Sequence, residues 1–285
     1  MTKRFIVGID GSDASLTALT WATGFAERHE AEVVPVHSWE YPTIALLPSP
    51  VGFPVPAQAF MTQTNDRLIT KLIDDHREQI ENADCITDPE VYHGGPASVL
   101  CEAAKDADLI VVGSRERGRF KGLMLGSVGS QVVNAAPCAV AVIPSDWTPT
   151  STGRVVIGVD GSPHSNAAVD WADRWAPPPS TLHLVHGWEI PVSLEGFDRW
   201  IDSTDVEGAA KRLTELGAER VVDHQVETEV IQANMKQSLT ECARDADLLV
   251  LGARGHSKLV GLLLGSVTTS TLNHLTGPTV IVRAE

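Results

Sequence analysis

The chain has 285 residues, 43% of them hydrophobic and 21% charged, a globular mix that excludes collagen-like and disordered classes. Its formal net charge of −15 excludes a general affinity for nucleic acid or anionic membrane, since both need a net basic face. A small anionic ligand needs only a local cluster of donors.

Arg4–Asp10 is a short run rich in Val and Ile, which fits a strand buried on both faces of a parallel sheet. Ser12 is a good N-cap for a following helix. Ala31–Ser38 reads as a second strand, and Tyr41–Pro56, with five prolines, as a loop. A long helix over about 57–82, a third strand at 89–93 and a helix at 97–106 come next. Leu109–Gly113 is the fourth strand. A glycine-rich loop then leads to a helix from about Ser127 and a fifth strand, Cys138–Ile143. After the polar stretch Pro144–Gly153 the pattern restarts. The strands are Arg154–Asp160, Thr181–Gly187, 224–231, Leu248–Gly252 and Thr279–Arg283. The helices follow Ser162, with Pro163 at the first helical position, then span 198–219 and 235–245 and start again near Ser266.

The restart is a duplication. Phe5–Ser12 returns as Val155–Ser162, and His37–Glu40 as His186–Glu189. Asp106–Gly113 returns as Asp245–Gly252, and Gly122–Val128 as Gly261–Val267. The offset shrinks between the second and third blocks, so the extra residues of the first half lie between Trp39 and Asp106. The expected domains are 1–145 and 154–285, joined by a linker at 146–153. Length agrees, at about 100–200 residues per domain. Strands alternating with helices make each domain α/β with a parallel sheet and helices on both faces. Ligands of such sheets bind outside the carboxyl ends of the strands. Asp10, Asp160, His37, Ser38, His186, Gly187, Gly113 and Gly252 all fall at that edge.

The second half reads Gly252, two residues, Gly255, nine residues, then Gly265-Ser266. Gly252 lets the chain turn off its strand, and Gly255 removes a Cβ where a ligand approaches. Gly265 and Ser266 open a helix whose free N–H groups and dipole favour an anion. Arg254, His256 and Lys258 add cationic or ionisable groups, and the whole reads as a phosphate cradle. The first half keeps Gly113, Gly126 and Ser127 but has Glu116 in place of the second glycine. A carboxylate beside phosphates is repulsive by about 1–4 kcal/mol at close range. Arg115, Arg117, Arg119 and Lys121 surround it and offset part of that. The expectation is weaker nucleotide binding in the first half. Asp10 and Asp160 either brace the turn into the first helix or accept from an adenine amine or ribose hydroxyl.

Other chemistry is missing. There is no Gly-x4-Gly-Lys-Ser/Thr loop, no Gly-x-Ser-x-Gly elbow and no Gly-x-Gly-x-x-Gly turn. His37 and His186 read as structural, and Trp21 and Trp171 as packed against the sheet. His183 and His186 face opposite sides of a strand, which argues against a metal there. Cys85, Cys101, Cys138 and Cys242 have no zinc or redox spacing and read as buried thiols. The apolar run Phe5–Ile9 is too short for a signal peptide, and no stretch is long enough to span a membrane, so a cytoplasmic protein is expected.

These residues resemble the universal stress protein family in its tandem-domain form. The family signature is Gly, two residues, Gly, nine residues, Gly-Ser/Thr. Gly252, Gly255, Gly265 and Ser266 match it fully; Gly113, Gly126 and Ser127 match except at Glu116. The resemblance covers both halves. It implies two tandem Rossmann-like domains of the adenine nucleotide α-hydrolase-like type, each a five-stranded parallel sheet of order 3-2-1-4-5. It implies ATP, with or without Mg2+, as the ligand. Asp10 and Asp160 would then meet adenosine, and the backbone at Ser38 and Gly187 the adenine. The glycine loops with Arg115 and Arg254, and Ser127-Val128 and Ser266-Val267, would hold phosphates. It further implies a homodimer with an internal pseudo-dimer and an unidentified regulatory protein partner. Neither nucleic acid nor membrane insertion is expected. The implied role is a stress-response or growth regulator, with at most slow ATP hydrolysis and no catalytic residue named. The competing readings are an adenine-nucleotide hydrolase-type enzyme and a partner-binding scaffold with vestigial sites.

Overall fold

The computed structural model describes residues 2–41, 58–81, 83–114, 125–188, 203–233, 235–256 and 264–284. Described residues up to Ser114 together with Gly126–Asp146 form one compact unit, and those from Trp147 onward form a second. The proline-rich stretch 42–56 lies outside the described residues. So do Arg115, Glu116, Arg117, Arg119, Lys121 and Lys258.

In the first unit β1 (Lys3–Gly8), β2 (Ala31–Trp39), β3 (Glu90–His93), β4 (Leu109–Gly113) and β5 (Ala139–Ile143) are all parallel. Their order is β3-β2-β1-β4-β5. The helices are α1 (Asp13–Glu27), α2 (Gln58–Arg77), α3 (Pro96–Ala103) and α4 (Ser127–Ala135). The second unit repeats this. It has β6 (Arg154–Gly158), α5 (Pro163–Trp175), β7 (Thr181–Trp188), α6 (Ser203–Ala218) and β8 (Gln225–Gln232). It continues with α7 (Met235–Cys242), β9 (Leu248–Gly252), α8 (Ser266–Asn273) and β10 (Thr279–Val282). Its parallel order is β8-β7-β6-β9-β10.

The central strands read as apolar runs because both faces are covered. Phe5, Ile6 and Val7 on β1, and Val155, Val156 and Ile157 on β6, are fully buried. Each such side chain stabilises the fold by about 1.5–3 kcal/mol. Asp247, just before β9, accepts from the N–H groups of Thr152 (2.9 Å) and Gly153 (2.7 Å) and so fixes the entry to β6.

One reading needs correction. The four cysteines are only partly buried, and none of them lies within a strand. Burial still pushes the Cys138 thiol up to about 12. Trp21 packs in the core and stacks on Phe25, but Trp171 is half-buried and stacks on Trp175. Among the described residues no helix is long and apolar enough to cross a membrane.

Candidate functional site

Each first strand ends in the same turn. Gly11 and Gly161 take left-handed φ values of 84° and 76°, which only glycine adopts without cost. The preceding carboxylate braces the turn: Asp10 Oδ1 accepts from Ser12 N–H (3.0 Å), and Asp160 Oδ1 from Ser162 N–H (2.9 Å). Ser12 and Ser162 then cap α1 and α5 by accepting from Ser15 N–H (3.3 Å) and Ser165 N–H (3.2 Å). Both His residues at the second strand ends are structural. His37 Nδ1–H donates to Ile9 O (2.7 Å), and His186 Nδ1–H donates to Val159 O (2.6 Å). These bonds fix one tautomer in each half.

Beyond the shared turn the halves diverge. Ser12 turns its hydroxyl onto Asp10 Oδ1 (2.6 Å), whereas the Ser162 hydroxyl donates to Arg254 O (3.3 Å) and so ties the turn to the glycine loop. Burial pushes the Asp10 carboxyl up, and the bonds from Ser12 and Ser15 more than offset this, leaving it below the ordinary carboxylate range.

Gly252 does not supply the turn expected of it, and Gly113 matches it in the first half. Neither backbone is left-handed. A Cβ on Gly252 would lie 2.6 Å from the His164 carbonyl carbon, and one on Gly113 would lie 2.3 Å from Ala14 O. These glycines let the first turns of α5 and α1 pack onto the ends of β9 and β4. Gly255 packs directly against the strand-end carboxylate. A Cβ there would sit 2.4 Å from Asp160 Oδ2, so the loop crosses directly over that carboxylate. His256 Nε2–H donates to Asp160 O (2.8 Å) and holds the loop in place.

Gly265 is the N-cap of α8, with an extended backbone (φ −69°, ψ 156°) and no side-chain capping bond. Its N–H donates to Ala253 O (2.8 Å), which brings the helix start onto the loop. Ser266 is exposed and Val267 half-buried. Gly126 has the same role at α4, with Ser127 exposed and Val128 half-buried. The structure thus gathers Asp160, Arg254, Gly255, Gly265 and Ser266 around one loop. Gly187 is set apart on β7: a Cβ there would lie 2.6 Å from Met235 Sδ and 3.3 Å from Ala233 O. Ser38 holds the matching place on β2 and is half-buried.

Thr268 and His164 escaped the sequence reading. Thr268 Oγ1–H donates to Gly252 O (2.8 Å) and ties the first turn of α8 to β9. The signal for it was its difference from Gly129 at the matching place of the first half. His164 Nδ1 accepts from Ala284 N–H (2.8 Å). Burial, then the fields of Arg254 and Arg283, hold its imidazole below the ordinary range against the pull of Asp160. Among the described residues no group of three or more His, Cys, Asp or Glu could hold a metal ion.

A family model described as the universal stress protein family matches residues 1–144 and again 152–283. A universal stress protein of Mycobacterium tuberculosis (strain ATCC 25618 / H37Rv) is 31% identical over 293 residues, covering 98% of this chain and 95% of the relative. One from Mycolicibacterium smegmatis is 28% identical over 291 residues, covering 98% and 96%. The crystal structure of a universal stress protein from Archaeoglobus fulgidus superposes with a TM-score of 0.70 at 17% identity, covering 99% of this chain and 98% of the other. At that identity the likeness speaks for the fold.

Proposed function

The chain belongs to the universal stress protein family, and from that membership we propose that it is a nucleotide-dependent regulator whose second half binds ATP, with or without Mg2+. One observation carries the reading: the loop at Gly255 crosses over Asp160 with no side chain between them, onto a helix start without a side-chain cap. Free N–H groups at the head of a helix, with its dipole, suit phosphate. Arg254 adds charge from the loop, and the Ser266 hydroxyl adds a donor. With Oδ1 committed to Ser162, Oδ2 is the Asp160 oxygen that would accept from the nucleoside. The bound nucleotide supplies charge and contacts that favour one state of the protein over another; the chain's own residues bind and orient it.

The first half is the weaker site on this reading. Its Glu116 stands at the position of Gly255, where the second half has no room for even a Cβ beside the carboxylate. The regulator is cytoplasmic and homodimeric, and its choice of protein partner follows occupancy. A pair of variants tests the assignment by calorimetric titration with ATP and Mg2+. Gly265→Glu is expected to abolish the tight site, and Glu116→Gly to strengthen a second one. If Gly265→Glu binds ATP as the unaltered chain does, the assignment is wrong.

A further inference from the structure

Two hydrogen bonds bracket Arg283. Ala253 N–H donates to Val282 O (2.7 Å), and Ala284 N–H donates to His164 Nδ1 (2.8 Å). Arg283 is the residue between them, so it joins the strand end beside the glycine loop to the first turn of α5. The absent side chain of Gly252 is what lets that turn come so close. Arg254 lies on the same loop, two positions on. Burial and then Arg254 and Arg283 hold the His164 imidazole below its ordinary range, while Asp160 pulls it the other way. The His164 bond to Ala284 needs an unprotonated Nδ1, so the free protein holds a neutral imidazole there.

The first half has no such arm. Ser114 N–H donates to Ile143 O (2.8 Å) just as Ala253 N–H does to Val282 O, so Pro144 matches Arg283. By the repeat, Ala14 matches His164. Neither can carry charge. The strand order gives the arm its reach. The second sheet runs β7-β6-β9-β10, with Gly187 on β7, Asp160 after β6, the glycine loop after β9 and Arg283 after β10. A nucleotide with its nucleoside at β6 and β7 and its first phosphate over the loop extends its later phosphates toward β10. An anion set beside Arg254, Arg283 and His164 is attracted by both guanidinium groups.

We propose that Arg283 and His164 form a second cationic arm of the second-half site, which selects nucleotides carrying a polyphosphate chain over monophosphates. The inference rests on the reading that the 252–256 loop and α8 hold nucleotide phosphates. A polyanion on the arm also favours the imidazolium form of His164, in which Nδ1 takes up a proton and gives up the Ala284 bond, so binding takes up a proton and tightens as pH falls. Asp160, His256 and the terminal phosphate of the nucleotide lie in the same field and add their own response. His164→Asn separates the contributions, because its amide oxygen accepts from Ala284 N–H and carries no charge.

The test is calorimetric titration of the full chain with ATP and with AMP. Arg283→Met is expected to weaken ATP by about tenfold, the size of one charge-assisted hydrogen bond, and AMP by less than about twofold. Arg283→Lys restores part of the loss. His164→Asn is expected to remove part of the tightening of ATP between about pH 8 and about pH 6. Equal weakening of ATP and AMP in Arg283→Met, or no weakening, overturns the arm. An unchanged pH response in His164→Asn overturns the role of His164. If the unaltered chain binds neither nucleotide, the reading of the site itself has failed, and the arm with it.

Discussion

Gly255→Ala tests the geometry of the second-half loop with one methyl group. The new Cβ would lie 2.4 Å from Asp160 Oδ2. An ordinary carbon–oxygen contact is about 1 Å longer, so something must move. Asp160 cannot swing freely, because its other oxygen accepts from Ser162 N–H (2.9 Å). Nor can the loop lift freely, because His256 holds it to Asp160 O (2.8 Å) and Ser162 holds it through Arg254 O (3.3 Å). Relief therefore strains or breaks one of these contacts. Overpacking of this kind costs about 1–3 kcal/mol, which is about fivefold to 150-fold in affinity if the loop must return to bind. Replacing a glycine also restricts the unfolded chain and returns about 0.4–1 kcal/mol, so the melting temperature falls less than the affinity does. Calorimetry with ATP and a thermal melt read the two effects separately. The cause is checked in an Asp160→Ala background, where the colliding oxygen is gone and the melting penalty of Gly255→Ala is expected to shrink. An ATP affinity within about twofold of the original, or an equal melting penalty in both backgrounds, refutes the argument.

Gly113→Ala and Gly24→Ala are expected to move stability in opposite directions. A Cβ on Gly113 meets Ala14 O at 2.3 Å, backbone that cannot yield cheaply, and the expected loss is about 1–3 kcal/mol. Gly24 lies inside α1 with nothing within 4 Å of its would-be Cβ, and alanine there should stabilise by about 0.5–1 kcal/mol. Denaturant unfolding of the two variants checks this, and equal effects would contradict it. A third prediction concerns pH. Burial and then the Arg154 guanidinium hold buried His183 below its ordinary range, although Glu229, bonded to its Nε2 at 3.0 Å, pulls the other way. The unfolded chain therefore takes up this proton first. The His183 contribution is present in full above about pH 6.5 and is lost as pH falls from there toward the lower folded value. Denaturant midpoints measured across that window should fall with pH, and less steeply in His183→Asn; an identical slope in that variant rules out His183 as the source.

The fold was legible because the chain states it twice. Val155-Val156-Ile157 repeats Phe5-Ile6-Val7, and only a strand covered on both faces tolerates such runs. The positions of the glycines were legible too, but not their tasks. Gly252 reads in sequence as a turn residue, yet its backbone is ordinary, and what it provides is contact with a helix more than eighty residues away in the chain. That partner is invisible to spacing. His164 was overlooked for the same reason, since its bond to Ala284 joins the start of α5 to the end of β10. The difference between Ser12 and Ser162 was hidden as well, because identical residues direct their hydroxyls to different acceptors. The one difference that sequence displays plainly is Glu116 against Gly255, and the carboxylate under Gly255 gives it physical meaning.

The central claim is that the two halves are unequal and that the second holds the nucleotide. Native mass spectrometry of the freshly purified chain, followed by extraction and identification of what it carries, tests this most directly. The account predicts one adenine nucleotide per chain, lost in Gly265→Glu. Two nucleotides per chain would contradict the inequality of the halves, and none, even after addition of millimolar ATP and Mg2+, would contradict the site itself.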